Sequence, residues 1–254
     1  ILQSDKFPLP QFRAGYLNMT LQEIFKKKDM ICDVNSKKSF DCFLRVGVEE
    51  NDLQSFVGAM AVIFKYGVLK EKTITIKEFK NRIIDNLSID QFMQLQNGNL
   101  IKLFSRNDSE RKSSIESIKN SLLYQRIDVK NSENMELLEY VNESYIRFKK
   151  HMLRNDVLLD HTILWDLMCM PIDYLFENGM NLVILEGNEE NDNNYINMLC
   201  PSNYYSSMNK KILSNRSTVV LYKLKNHYEP IANIKRINGK DKVDFFIDNN
   251  KDNG

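Results

Sequence analysis

The fold is decided by residues 43–64, FLRVGVEENDLQSFVGAMAVIF, which change from one secondary-structure pattern to another within a short stretch. Residues 43–48 form an apolar run of the kind that builds short strands. The polar residues 49–54 follow and predict a turn. From there Phe56, Ala59, Met60 and Ile63 recur at the spacing of one helical face. We therefore predict a strand, a polar loop and a helix that begins at Ser55.

The chain is expected to be mostly helical up to about residue 154. Helix starts are marked by N-capping residues, namely the capping boxes Thr20/Glu23 and Thr75/Glu78, and Ser88. A long helix is expected from Asn134 to Arg154, because an apolar stripe runs along it. Residues 105–133 are polar and charged, which predicts a surface excursion before that helix.

The last third of the chain changes to short β-rich runs separated by polar turns. These runs are residues 181–186, 195–200, 218–222, 228–234 and 242–247. Together with the strand near residue 45, they are spaced as a central sheet. Helices first and strands afterwards predict an α+β layer architecture, with helices covering the sheet.

Composition narrows the class of protein. Lysine plus arginine number 35 and aspartate plus glutamate 34, so the net charge is +1 and no overall field attracts nucleic acid or an anionic membrane. Direct DNA contact would need a local cluster such as Lys210, Lys211 and Arg216. Apolar stretches stay far below the ~18 residues that span a bilayer. Because the chain starts at Ile1, we expect it to be a segment of a longer polypeptide.

Four cysteines occur without C-x-x-C spacing, at positions Cys32, Cys42, Cys169 and Cys200. We interpret all four as thiols, which fits a reducing, intracellular compartment. The three histidines do not pair with another histidine or cysteine at ligand spacing, so we expect no metal site. No glycine-rich phosphate loop is present, and we expect no cofactor.

Two separate motifs carry the functional hypothesis. Asp52-Leu53-Gln54-Ser55 precedes an apolar helix, and Asn226-His227-Tyr228-Glu229 lies inside a late apolar strand. With the tryptophan segment at Trp165 between them, this order resembles the ovarian tumour (OTU) family of cysteine proteases, which cleave ubiquitin. The resemblance covers residues 42–236, which leaves residues 1–41 as an N-terminal extension with a short helix and 237–254 as a C-terminal strand and tail.

The resemblance implies an OTU-like fold with a central mixed sheet covered by helices. It also implies roles for four residues. Ser55 occupies the nucleophile position at the positive end of a helix, His227 the position of the base, and Glu229 that of the residue that orients the base. Asp52 matches the acidic residue three positions before the nucleophile, beside the loop that supplies the oxyanion hole.

Two departures from the family pattern bear on whether the chain is an active protease. Serine replaces cysteine, and a hydroxyl is far harder to activate than a thiol with a pKa near ~8.5. Leu53-Gln54 replaces the usual Gly-Asn of the oxyanion loop. We therefore predict a non-catalytic interaction domain, a pseudo-protease. The alternative is an active OTU-type deubiquitinase, in which Ser55 either replaces a native cysteine or acts as an unusual nucleophile.

Cys42 is a rival candidate for the nucleophile. Asp41-Cys42-Phe43-Leu44-Arg45 is similar to the family motif Asn-Cys-Leu-Phe-Arg. A β-like run follows Cys42, however, and a cysteine that starts a strand lacks the helix-terminus field that lowers a thiol pKa. We rank Cys42 below the position of Ser55.

A second resemblance concerns the setting of the chain. Residues 5–10, 43–49, 95–100 and 182–186 resemble strings in the large early transcription factors of nucleocytoplasmic large DNA viruses. This implies a domain of a viral initiation factor whose partners are the viral RNA polymerase and a small ATPase subunit, with ubiquitin as the partner on the protease reading. The corresponding location would be the host cytoplasm or the virion.

Overall fold

The structure is a computed structural model, which describes residues 6–25, 40–70, 73–105, 115–188, 195–199 and 215–247. It confirms an α+β fold with a mixed sheet. The helices are α1 (Met19–Ile24), α2 (Ser55–Phe64), α3 (Ile76–Asn86), α4 (Ile89–Gln94), α5 (Asn99–Leu103), α6 (Leu122–Arg126), α7 (Ser132–Leu153) and α8 (His161–Cys169). The strands are β1 (Ala14–Tyr16), β2 (Phe40–Val46), β3 (Asn181–Gly187), β4 (Ile196–Leu199), β5 (Thr218–Leu224), β6 (His227–Ile237) and β7 (Lys240–Asp244).

The long strand β6 organises the sheet. The strand order is β1-β2-β6-β5-β3-β4, and β7 pairs with the second half of β6 after β5 has paired with its first half. Only the β3–β5 pair is parallel among the described strands; the others are antiparallel. Because β6 is central, the side chains at its start contact the elements that pack on the middle of the sheet.

The two faces of the sheet carry different cover. On one face α2 packs against β6, and every residue of α2 is buried, as expected of a helix that is apolar all round. On the other face a smaller cluster joins Leu17 and Leu21 of the N-terminal segment to Phe43, Tyr222 and Ile231. Because side chains alternate between the two faces of a strand, successive residues of β6 contact α2 and the N-terminal segment in turn.

Several predicted elements are confirmed. Helix α2 begins at Ser55, the capping boxes Thr75/Glu78 and Ser88/Gln91 are formed, and α7 spans almost the predicted range. The Thr20/Glu23 capping box is wrong, because the side chain of Asn18 accepts the Leu21 amide and starts α1 two residues earlier than Thr20 would. Burial of Leu17 and Leu21 on the sheet fixes that start.

Two further expectations need correction. Residues 115–133 are more than a surface excursion, since Ile118 and Ser121 are buried and α6 lies between them and α7. Cys42 is disulfide-bonded, so the interpretation of all four cysteines as thiols is wrong for this residue. The cysteines therefore do not support a reducing compartment. Cys169 is a free, buried thiol, as expected, while Cys32 and Cys200 lie outside the described residues.

Among the described residues, no helix combines the length and apolar character that crossing a bilayer requires.

Candidate functional site

Ser55 joins the start of α2 to the start of β6. Its hydroxyl donates to the carbonyl oxygen of Asn226 at 3.0 Å, and it accepts the amide of Tyr228 at 3.2 Å. These two backbone groups stand on either side of His227. The residue is buried, with 1% of its surface exposed. The hydroxyl thus links helix to strand through the backbone that carries His227.

The loop before Ser55 is closed by its own hydrogen bonds. The side-chain oxygen of Asn51 accepts the amides of Leu53 and Gln54, each at 3.0 Å. Asp52 and Leu53 are exposed to solvent. Amides that would have to point at a developing oxyanion are therefore already occupied within the loop.

Gln54 is a buried anchor beneath this loop. Its side-chain amide donates to the carbonyl oxygens of Arg154 at 2.8 Å and Val157 at 3.2 Å. Its oxygen accepts from the Lys80 ammonium at 2.8 Å, and Lys80 also donates to the Arg154 carbonyl at 2.8 Å. Burial lowers the pKa of Lys80, an effect that the charge of Glu49 opposes. This polar cluster ties the start of α2 to the end of α7.

His227 lies on the face of the sheet opposite α2. Its ring makes an edge contact with Phe7, with centroids 5.3 Å apart, while the next residue, Tyr228, packs on Phe56 of α2. The Nε2 atom of His227 is buried and has no hydrogen-bond partner among the described residues. Burial lowers the pKa of this imidazole; the charge of Asp52 opposes the shift and that of Arg45 adds to it.

Glu229 shares that face and is fully buried. Its carboxylate pairs with Arg45, with Oε2 2.6 Å from Nη1, and it accepts the Leu9 amide at 2.6 Å. Its Oε1 atom lies 4.0 Å from Nε2 of His227, which is beyond hydrogen-bonding distance. Burial raises the pKa of Glu229 to about 7, although Arg45 and the Leu9 amide lower it in part.

Arg45 extends this cluster to the N-terminal segment. Its guanidinium also donates to the carbonyl oxygens of Tyr16 at 3.1 Å and Lys6 at 3.0 Å, and it lies over the ring of Phe7. Residues 6–9 are thereby held across His227 and Glu229. Glu229, which was predicted to orient a base, binds Arg45 and the main chain of the N-terminal segment.

The imidazole on the α2 face is that of His161, at the first position of α8. Its Nδ1 atom lies 2.7 Å from the Tyr228 hydroxyl, and its ring contacts Phe56 and Trp165. Burial lowers the pKa of His161; the charge of Asp160 opposes this shift and the charge of Lys223 adds to it. Burial also raises the pKa of Tyr228. Sequence reasoning considered His161 only as a metal ligand; the one local signal is its place between the N-cap Asp160 and Trp165.

The structure also places some of the residues considered for metal and nucleic-acid binding. Within the described ranges, no group of three His, Cys, Asp or Glu side chains could hold a metal ion. Of the basic cluster named from sequence, Lys210 and Lys211 lie outside the described residues. Arg216 donates to the Cys169 carbonyl at 3.1 Å and so has a structural contact.

The structure therefore brings Ser55, His227 and Glu229 to one end of β6, but on two faces. Ser55, in the first turn of α2, lies on the same side of the sheet as Tyr228 and His161, whereas His227 and Glu229 lie on the other side with Phe7 and Arg45. Asp52 stands exposed at the edge, near enough to influence the pKa of His227.

Comparison with known proteins identifies no relative: no family model, no curated protein and no solved structure matches the chain.

Proposed function

We propose that the chain is a non-catalytic interaction domain on an OTU-like scaffold, belonging to an early transcription factor of a large DNA virus. The observation that carries the first part is the Ser55 hydroxyl, which is bonded to the backbone on both sides of His227 while the imidazole lies on the other face of the sheet. The viral setting rests on the sequence strings described above.

The chemistry of the site supports loss of catalysis. A serine nucleophile needs an adjacent base that accepts its proton, and here the proton is directed at the Asn226 carbonyl. Stabilisation of a tetrahedral intermediate needs amides aimed at the oxyanion, and those of Leu53 and Gln54 are bonded to Asn51. Glu229 is bound by Arg45 and lies too far from His227 to orient it.

A partner surface is offered by the outer side of α7. Leu137 and Tyr140, one turn apart, expose 45% and 37% of their surfaces. Adjacent exposed apolar side chains on a helix suit contact with another protein. In the proposed setting that partner is the viral RNA polymerase or the small ATPase subunit, inside the host cell or the virion.

Cleavage of ubiquitin chains tests the loss of catalysis. The chain, its Ser55→Cys variant and Ser55→Cys with His227→Ala should all be inactive. Ser55→Cys with His161→Ala controls for the imidazole on the α2 face. Cleavage by Ser55→Cys that disappears with His227→Ala would overturn the proposal and establish the deubiquitinase alternative, with serine in place of a catalytic cysteine.

Co-purification with the viral polymerase and the small ATPase subunit tests the partner. We expect Leu137→Ser with Tyr140→Ser to weaken the association at least tenfold. The control is Met198→Ser on β4, which removes an exposed apolar side chain elsewhere. Equal binding by all three chains, or binding to ubiquitin alone, would contradict the assignment of partner and surface.

A further inference from the structure

The turn between β6 and β7 consists of Asn238 and Gly239. Both residues have positive φ values, 52° for Asn238 and 77° for Gly239, as a two-residue type I′ turn requires. The turn joins Ile237 to its cross-strand partner Lys240, and both turn residues are exposed. Asparagine followed by glycine is the pair that such a turn favours, so its presence here has a structural explanation.

The same pair of residues also carries a reaction of its own. The side-chain carbonyl carbon of an asparagine can reach the backbone nitrogen of the next residue, and attack by that nitrogen closes a five-membered succinimide ring. Glycine in the next position favours the attack, because it has no side chain to block the approach and its backbone rotates most freely. The sequence contains four Asn-Gly pairs, at residues 97–98, 178–179, 238–239 and 253–254. The structure describes the first three of them.

At Asn238 the reacting groups are not held by other parts of the chain. Neither the side-chain amide of Asn238 nor the N–H of Gly239 has a hydrogen-bond partner among the described residues. A Cβ atom added to Gly239 would meet no atom within 4 Å. Ring closure requires the backbone to rotate out of the turn geometry. That opening is easy here, because β7 has five residues, pairs with β6 alone among the described strands, and exposes its first three residues.

The pair Asn178–Gly179 is held much more firmly. The N–H of Gly179 donates to the Phe176 carbonyl at 2.8 Å, so the attacking nitrogen is already engaged. A Cβ atom added to Gly179 would lie 2.6 Å from the Cys169 carbonyl oxygen, which shows how closely the backbone is packed. The next residue, Met180, is buried. Ring closure at Asn178 would have to break this hydrogen bond and move packed backbone.

The pair Asn97–Gly98 is also fixed, between α4 and α5. The amide of Asn99 donates to the Gln96 carbonyl across the pair. Leu100, in the first turn of α5, is fully buried. Among the three described pairs, the backbone is therefore held least at the β6–β7 turn.

We propose that Asn238 is a modification site, at which the chain converts spontaneously into aspartate and isoaspartate forms. The Gly239 nitrogen gives its proton to hydroxide and attacks Cγ of Asn238. A C–N bond forms, the Cγ–Nδ2 bond breaks, and the departing nitrogen takes a proton from water and leaves as ammonia. Water then opens the ring, giving aspartate when it attacks Cγ and isoaspartate when it attacks the main-chain carbonyl. Water is the only co-reactant, and no group is oxidised or reduced.

Both products change the β6–β7 hairpin. Each adds one negative charge beside the exposed residues Lys240 and Lys242. Isoaspartate also adds one carbon to the main chain between residues 238 and 239, and a two-residue turn with fixed register cannot hold it without a local shift. The turn lies at the end of β6 opposite to His227, so the modification is independent of the pseudo-protease proposal.

Incubation of the folded chain at pH 8 in heavy-oxygen water, followed by peptide mass spectrometry, tests the site. Opening of the ring places one heavy oxygen in the product, which separates this reaction from earlier damage. We expect uptake at Asn238 at least tenfold faster than at Asn178 or Asn97. In urea the three rates should agree within about threefold, because the unfolded pairs have the same chemistry. Equal rates in the folded chain, or a tenfold difference that persists in urea, would overturn the proposal.

Variants assign the reaction to the two turn residues. Gly239→Ala should slow uptake at Asn238 at least tenfold and leave Asn178 within twofold, because the new side chain hinders the attacking nitrogen. Asn238→Gln keeps the amide but cannot close a five-membered ring, so uptake at this position should disappear. Lys240→Gln, next to the turn, is the control and should leave the rate at Asn238 within threefold. Thermal melts confirm folding. Undiminished uptake at position 238 in Gly239→Ala or Asn238→Gln would contradict the proposal.

Discussion

At the scale of the residue, Ser55 provides the hydrogen bonds that fix α2 on β6. Replacing it by alanine leaves the buried Tyr228 amide and the partly buried Asn226 carbonyl without this partner. We expect Ser55→Ala to lower the free energy of unfolding by about 1–3 kcal/mol in urea denaturation. Ser105→Ala, which removes an exposed hydroxyl, is the control and should change it by under about 0.5 kcal/mol. Equal stability of both variants would contradict the structural role of Ser55.

The Arg45–Glu229 pair is a second test at this scale. At pH 8, above the pKa of about 7 of Glu229, Arg45→Met leaves a carboxylate buried without its ion partner, which costs about 3–5 kcal/mol. Arg45→Met combined with Glu229→Leu removes both charges, and we expect the double variant to be more stable than Arg45→Met alone. A double-mutant cycle measures the coupling. Additive effects of the two changes would refute a direct, buried ion pair.

At the scale of the element, Gln54 couples the start of α2 to the end of α7. Gln54→Asn keeps the amide but shortens the side chain, so that it no longer reaches Arg154 and Lys80. We expect faster amide hydrogen exchange in the last turn of α7 and a loss of about 1–3 kcal/mol in stability. Gln22→Asn, in a partly buried contact of α1, should leave α7 exchange unchanged. Exchange in α7 that is the same in both variants would argue against the coupling.

Also at the scale of the element, the sequence predicts part of how residues are placed on the two faces of β6. The two-residue spacing of His227 and Glu229 correctly indicates that they share one face of β6, because side chains alternate along a strand. Which face α2 covers depends on pairing between residues far apart in the chain, and local pattern does not contain it. The contact of His161 with Tyr228 is hidden for the same reason. Asn18 and Thr20 are both good caps, and burial of Leu17 and Leu21 chooses between them.

At the scale of the whole molecule, buried titrating groups set the pH dependence of stability. The pKa values of His151, His161 and His227 are all lowered, mainly by burial. The unfolded chain therefore binds more protons, so stability falls as the pH drops below about 6.5. The raised pKa of Glu229 acts oppositely, since its folded form keeps a proton up to about pH 7.

We therefore expect the three histidines to lower the free energy of unfolding as the pH falls from about 6.5 to 5, and Glu229 to oppose that loss over the same range. Urea denaturation between pH 5 and pH 8 measures this profile. In the unmodified chain, ionisation of Glu229 lowers stability as the pH rises from about 5 to 7. Glu229→Gln removes this effect, so the variant should lose stability more steeply on acidification. Stability of the Glu229→Gln variant that increases from pH 6.5 to pH 5 would contradict the burial of the histidines.

The most direct test of the central claim is the thiol pKa in the Ser55→Cys variant, which requires no knowledge of a substrate. Alkylation rates across pH, read at that position by peptide mass spectrometry, give this pKa. With the hydroxyl position buried and the His227 ring on the opposite face, we predict slow alkylation and a pKa at or above ~8.5. A pKa below about 7 that rises when His227→Ala is added would contradict the account, because it would show a thiolate and imidazolium paired as in an active protease.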